Sequence, residues 1–173
     1  MGREKKLALE FAALNAAKET FKELANSDNQ FLRLAVAQST FALRQLPDDM
    51  KKDMALYSNL LRNNLEQNGN GNDIIASLPK STSVKNGTLI WNVEHLRYAG
   101  LKFEQIVNSG TKFERMLIAQ SAFAFTEISR ASRAKLLNDI DESVKEAAKA
   151  NPNRAIVEAL EKIEDRPLRH LRN

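Results

Sequence analysis

Along most of the chain, apolar residues recur at intervals of three, four and seven, the spacing that gathers them on one face of an α-helix. Over about residues 3 to 25 that face holds Leu7, Phe11, Leu14, Phe21 and Leu24, and over about 89 to 107 it holds Trp91, Leu96, Phe103 and Ile106. Both stretches stop at Asn-Ser. Ser27 with Gln30 has capping-box spacing, in which the hydroxyl accepts an orphan amide and the Gln side chain reaches back. Ser109 keeps the cap but is followed by Lys112, so the reciprocal half is missing there. Second helices are predicted over about 29 to 46 and 111 to 129, and their two adjacent apolar stripes make them central. Pro47 ends the first of these, and Ser129 is a weaker boundary for the other. Third helices follow at about 48 to 66, opened by Asp48 and Asp49, and at about 131 to 149. A seventh helix starts at Asn151-Pro152 and runs to about Asp165, with Ile156, Val157, Leu160 and Ile163 as its apolar face.

Shifting the chain against itself by 82 residues aligns these elements. Leu14, Ala17, Phe21, Asn26, Ser27, Phe31, Arg33, Ala37, Gln38, Ser39, Phe41 and Ala42 meet Leu96, Ala99, Phe103, Asn108, Ser109, Phe113, Arg115, Ala119, Gln120, Ser121, Phe123 and Ala124. Average residue usage predicts roughly two identities over that length. The expected architecture is therefore an all-α bundle of about seven helices: two tandem three-helix units related by pseudo-two-fold symmetry, plus a C-terminal helix. Within a single domain of residues 1–173, the units are 1–66 and 89–150. Residues 67–88 form a linker rich in Asn and Gly, with Ile74, Ile75 and Leu78 pinning its middle to the body, and 151–173 are the last helix and a basic tail.

Charge and composition narrow the chemistry. A chain of 173 residues is long enough to bury roughly 70% of the surface its unfolded form exposes. With no cysteine there are no disulfides, thiolate metal sites or thiol nucleophiles, and a reducing, cytoplasmic setting is expected. No run of 18 apolar residues occurs, so no membrane span is expected. The net charge of +4 is spread evenly, with 12 basic against 10 acidic residues in 1–87 and 14 against 12 in 88–173. A nucleic-acid binder concentrates its cations in one footprint, and only Arg130, Arg133 and Lys135, and the tail's Arg166, Arg169 and Arg172, form such clusters.

Few residues invite a chemical role. His95 and His170 lack metal-ligand spacing, Asp139, Asp141 and Glu142 lack the glycine of a calcium loop, and Gly69 and Gly71 lack the flanking strand and Lys of a phosphate cradle. No enzyme, cofactor, metal or small-molecule substrate is indicated. Gln38 and Gln120 lie among Phe31, Leu34 and Phe41 and among Phe113, Leu117 and Phe123 respectively. A buried amide needs partners, so the pair is expected either near the symmetry axis, fixing register as a polar residue can in a coiled coil, or bridging locally within each unit. Arg33 and Arg115 fall beside the apolar stripe; they could clamp an anion or acidic partner, or form salt bridges to neighbouring helices.

These features suggest a non-catalytic helical interaction module (an adaptor, assembly factor or regulator) whose partner is another protein or a second copy of itself. The alternative is nucleic-acid binding through the two basic clusters. A third reading comes from the stretch Phe113 to Lys149, where Phe-x6-Gln-Ser-x-Phe precedes an Ala- and Leu-bearing charged helix. That quarter of the chain resembles phasins, and the resemblance implies an amphipathic coat on an apolar surface.

Overall fold

The computed structural model describes residues 2–55, 58, 84–85, 88–89 and 93–165. The fold is all-α. In the first segment, α1 (Arg3–Ala25), α2 (Gln30–Ala37), α3 (Thr40–Arg44) and α4 (48–55) follow in order. In the second, α5 (Val93–Ser109), α6 (Lys112–Gln120), α7 (Ala122–Glu127), α8 (Arg130–Leu137), α9 (Glu142–Lys149) and α10 (Arg154–Glu164) do so. The starts of α6, α7 and α8 each lie 82 residues after those of α2, α3 and α4 (112 − 30, 122 − 40, 130 − 48). Between the segments, β1 (Val84–Lys85) and β2 (Thr88–Leu89) pair antiparallel with Val84 opposite Leu89. They flank Asn86-Gly87, a dipeptide favoured where a two-residue hairpin loop needs φ > 0.

Packing crosses between the segments. The first helix of each lies against the second helix of the other, α1 on α6 and α5 on α2, while α9 closes over α6 and α8. One continuous core results, in which Phe21, Phe31, Phe103, Phe125, Leu117, Ile118 and Leu136 are fully buried. The ring of Phe31 stacks on Phe123 with centroids 5.6 Å apart, and Phe41 stacks on Phe113 at 5.9 Å. Edge-on contacts join Phe21 to Phe41 and Phe103 to Phe123. Such pairs add about 0.5–1.5 kcal/mol each to what their burial supplies.

Several boundaries differ from the sequence expectation, and in each case a side chain outcompetes the backbone of a longer helix. The two central helices are broken rather than continuous. Ser39 caps α3 by accepting from Ala42 N, and Ser121 caps α7 by accepting from Ala124 N. A serine hydroxyl offers the backbone an acceptor that competes with the helical ladder. Likewise the third helix of the second segment divides into α8 and α9, because Asp141 caps the latter through Val144 N. The caps of the second helices sit two residues later than expected. Asn29 accepts from Phe31 N, and Thr111 forms a complete capping box with Glu114, while Ser27 Oγ instead accepts from Asn29 N. Gly110, just before that box, approaches so closely that an added Cβ would stand 2.5 Å from Ile106 O, which selects the residue with no side chain.

The last helix also begins later, at Arg154. Asn151 is buried and serves as an anchor: its Nδ2 donates to Ala119 O (2.9 Å) and Ser121 O (3.2 Å), and its Oδ1 accepts from Asn153 N. Replacing Asn151 with Ala is expected to cost about 1 kcal/mol, read as a lower urea midpoint, and to raise hydrogen exchange in α10 ahead of α6. Equal acceleration across both helices would refute this anchoring role.

Candidate interaction surfaces

Gln38 follows the last residue of α2 and Gln120 ends α6, each at a break between helices where a new one starts. The first turn of any helix leaves N–H groups without intrahelical acceptors. Here the acceptor comes from the opposite segment. Gln120 Oε1 accepts from Ser39 Oγ (2.7 Å) and Phe41 N (3.0 Å), and Gln38 Oε1 accepts from Ser121 Oγ (3.0 Å) and Phe123 N (2.8 Å). Each amide therefore caps the other segment's short helix, and neither bridges only within its own.

Arg33 and Arg115 do not share a groove. Each reaches back toward the end of the preceding helix: Arg33 Nη1 donates to Ser27 O and Arg115 Nη1 to Gly110 O. Arg33 is buried and lines a cleft of about 330 Å³ with Asn26, Asp28, Met50 and Asp53. Arg115 lines a separate cleft of about 290 Å³ and grips Asp139 with two bonds, Nε to Oδ2 at 2.7 Å and Nη2 to Oδ1 at 2.9 Å. Burial pushes the Asp139 carboxyl up, but the Arg115 fork and the Asp141 amide outweigh it, leaving the group below the ordinary aspartate value. Nothing in the sequence pairs a helical Arg115 with a residue 24 positions on, in the turn between α8 and α9, so Asp139 carried no signal of its role.

The cluster at 130–135 is held by carboxylates, carbonyls and an amide. Arg130 forks onto Asp165 (2.8 and 2.9 Å) and lies 3.7 Å from Glu161; Arg133 donates to Glu161 (3.1 Å) and to the carbonyls of Thr126 and Ile128. Lys135 Nζ donates to Asn108 Oδ1 at 2.7 Å. Arginine suits this work because its planar fork meets a carboxylate at two points. Arg166, Arg169 and Arg172 lie outside the described residues, as do Ile74, Ile75 and Leu78. Glu104 was not legible as a site residue: it accepts from Ser129 N and Ser132 Oγ, closing the start of α8. Burial raises its carboxyl, yet those bonds and Arg133 bring the net position below the ordinary glutamate value.

The outer surface carries apolar side chains in short helical stripes. On α10, Ile156, Leu160 and Ile163 are 58%, 50% and 55% exposed, whereas Val157 is buried. Leu7 and Phe11, expected to face the interior, are exposed: Leu7 on the part of α1 that extends beyond the span matching α5, and Phe11 at the first matching position, opposite Val93 in the offset, which is exposed too; Tyr98 and Leu101 are exposed on α5. The last two border an open cleft of about 580 Å³ with Ser27, Asp28, Asn29, Glu94, His95 and Arg97, where Asn29 Nδ2 donates to His95 O at 2.8 Å. Among the described residues no three His, Asp or Glu side chains are placed to hold a metal, and no helix is long and apolar enough to cross a membrane. No protein-family model, no curated protein and no solved structure matches the chain.

Proposed function

We propose that this chain is a non-catalytic helical interaction module: two copies of one helical unit paired about a pseudo-two-fold axis, with α10 presenting its outer face to a protein partner. The pairing is supported by reciprocity. The bonds of Gln38 to Ser121 and Phe123 have their counterparts, 82 residues away at both ends, in the bonds of Gln120 to Ser39 and Phe41. The same exchange relates the stacked rings of Phe31 and Phe123 to those of Phe113 and Phe41. A two-fold contact has this form, in which i meets j and j meets i.

The observation that carries the interaction reading is the α10 stripe. Ile156, Leu160 and Ile163 stand at i, i+4 and i+7 on a helix whose one buried apolar side chain among the described residues is Val157. The helix is held instead along a polar edge by Arg130, Arg133 and Asn153, the last donating to Ala122 O and Thr126 Oγ1. Large apolar side chains left outside at one helical spacing mark a surface for another helix or a groove. A photo-crosslinking residue at position 160 is expected to yield discrete protein adducts, and one at Lys162, exposed but turned away from the stripe, few. Adducts of equal yield at both positions, or none at 160, would sink the assignment. With the probe kept at position 160, substituting Ile156 and Ile163 by Ser is expected to change stability by no more than about 1 kcal/mol in sum, as for other exposed sites, while removing the adducts.

The two other readings draw less support. The cations at 130–135 are engaged within the chain, so low-salt binding to DNA or RNA through that cluster is expected to be weak, without the steep salt dependence of a phosphate footprint; the tail's Arg166, Arg169 and Arg172 lie outside the described residues. Phe113, Gln120, Ser121 and Phe123, which carry the resemblance to phasins, are taken up in the contact between the segments and leave little of that motif to coat a surface.

A further inference from the structure

The contact between the two segments is built from side chains that occur in both. Gln, Ser and Phe stand at 38, 39 and 41 and again at 120, 121 and 123, with Phe at 31 and again at 113. Each segment therefore carries both the accepting amide and the donating hydroxyl and N–H that the amide meets, and both members of the stacked ring pair. Nothing in this central set distinguishes a partner supplied by the same chain from one supplied by another copy. We infer that the segments are exchangeable, and that the second segment, residues 93–165, pairs with the second segment of another copy of this chain. The inference rests on the paired reading above and adds the identity of the partner.

The edge of the contact decides which segment is the better self-partner. Three bonds there join unlike residues: Thr20 Oγ1 donates to Glu114 Oε2 (2.8 Å), Asn29 Nδ2 to His95 O (2.8 Å), and Lys112 Nζ to Glu10 Oε1 (2.9 Å). Lys102 occupies the position 82 residues after Thr20, so in a pair of second segments it faces Glu114 of the other copy. An ion pair then replaces the hydroxyl bond, twice by symmetry. In a pair of first segments the corresponding positions are Thr20 and Leu32, and the bond has no acceptor. Lys112 in such a pair loses Glu10, whose counterpart 82 residues on is Asn92. Two Lys102–Glu114 ion pairs, against the one Lys112–Glu10 pair across this contact in the intact chain, thus favour second segments as self-partners, while the covalent connection keeps the intact chain's own two segments together at ordinary dilution.

A protease site inserted between Gly69 and Asn70 of the full-length protein allows the test. The protein is folded, purified and cut, then unlabelled and nitrogen-15-labelled cut preparations are unfolded together in guanidinium, refolded and weighed by native mass spectrometry. Mixed-label homopairs of the C-terminal piece are expected at about one pair in ten or more, exceeding homopairs of the N-terminal piece, since partner choice here turns on a few edge contacts. Lys102→Met is expected to lower the C-terminal homopairs about threefold, the size of effect that exposed ion pairs have, without reducing pairs of unlike pieces. Label exchange confined to pairs of unlike pieces would overturn the exchange inference and leave the paired reading standing. Pieces that refold without any pairing would overturn both.

Discussion

Replacing Arg115 by Met is expected to destabilise the fold by about 3 kcal/mol, the largest single effect predicted for a polar residue here, because it strands a carboxylate that water barely reaches. The Asp139 side chain is 6% exposed and that of Arg115 18%, and removing one partner of such a pair leaves the other charge buried and uncompensated. For a protein of this size the loss corresponds to a fall in melting temperature of about 10 °C. Asp139→Asn is expected to cost less, since a neutral oxygen still accepts from the guanidinium, and the double change Arg115→Met with Asp139→Leu is expected to recover part of the loss. An Arg115→Met protein as stable as the parent would show the pair to be structurally idle.

The same pair gives the fold an acid dependence whose sign follows from the depressed Asp139 carboxyl. A group whose folded value lies below its unfolded one contributes its stability above the unfolded value, and loses it as pH falls through the folded value, because the unfolded chain binds the proton more readily. Glu104, also lowered in the folded state, acts in the same direction. Urea unfolding free energy is therefore expected to be flat near neutrality and to decline once pH drops below the ordinary carboxylate range. Asp139→Asn should show a shallower decline than the parent, and an unchanged slope would place the acid-sensitive group elsewhere.

How much of this was visible in the chain depends on how far apart the interacting groups lie in sequence. The helical class and the burial of Phe21, Phe31 and Phe103 follow from periodicity, which is a local property, and the offset of 82 from residues identical in the two segments. The caps were harder to assign. Asn26-Ser27-Asp28-Asn29 offers four consecutive residues able to cap a helix, and Asn108-Ser109-Gly110-Thr111 offers three; the one that serves depends on the entry angle of the chain. The breaks after Gln38 and Gln120 left no mark on the apolar pattern, which runs through them: the local caps are Ser39 and Ser121, and the amide that accepts from each new helix comes from more than 75 residues away. Arg115 stood out as a cation beside an apolar stripe and Arg130 to Lys135 as a basic cluster, yet the carboxylates that meet Arg115, Arg130 and Arg133 sit in the turn after α8 (Asp139) or on and just after α10 (Glu161, Asp165). Leu7 and Phe11 failed as core predictions for a related reason. Their spacing is helical, but Leu7 lies on the stretch of α1 that precedes the span matching α5, and Phe11 matches Val93, the first residue of α5, which is likewise exposed.

The two glutamines furnish the second large effect and the sharper test of how the segments are joined. Gln120→Ala would leave the Ser39 hydroxyl and the Phe41 amide without their acceptor, and Gln38→Ala would do the same to Ser121 and Phe123. Each is expected to cost about 2 kcal/mol, the scale of orphaning donors in a partly buried site, with an unchanged urea m-value because the surface exposed on unfolding is the same. The diagnostic quantity is the pair of losses taken together. If both amides cap opposite ends of one contact, the two single costs should be similar. The double variant should also lose less than their sum by at least about 0.5 kcal/mol, because a contact already loosened by the first change has less to lose from the second. Amides that served only their own segments would give additive costs, and a silent Gln38 beside a costly Gln120 would break the equivalence from which the pairing is argued.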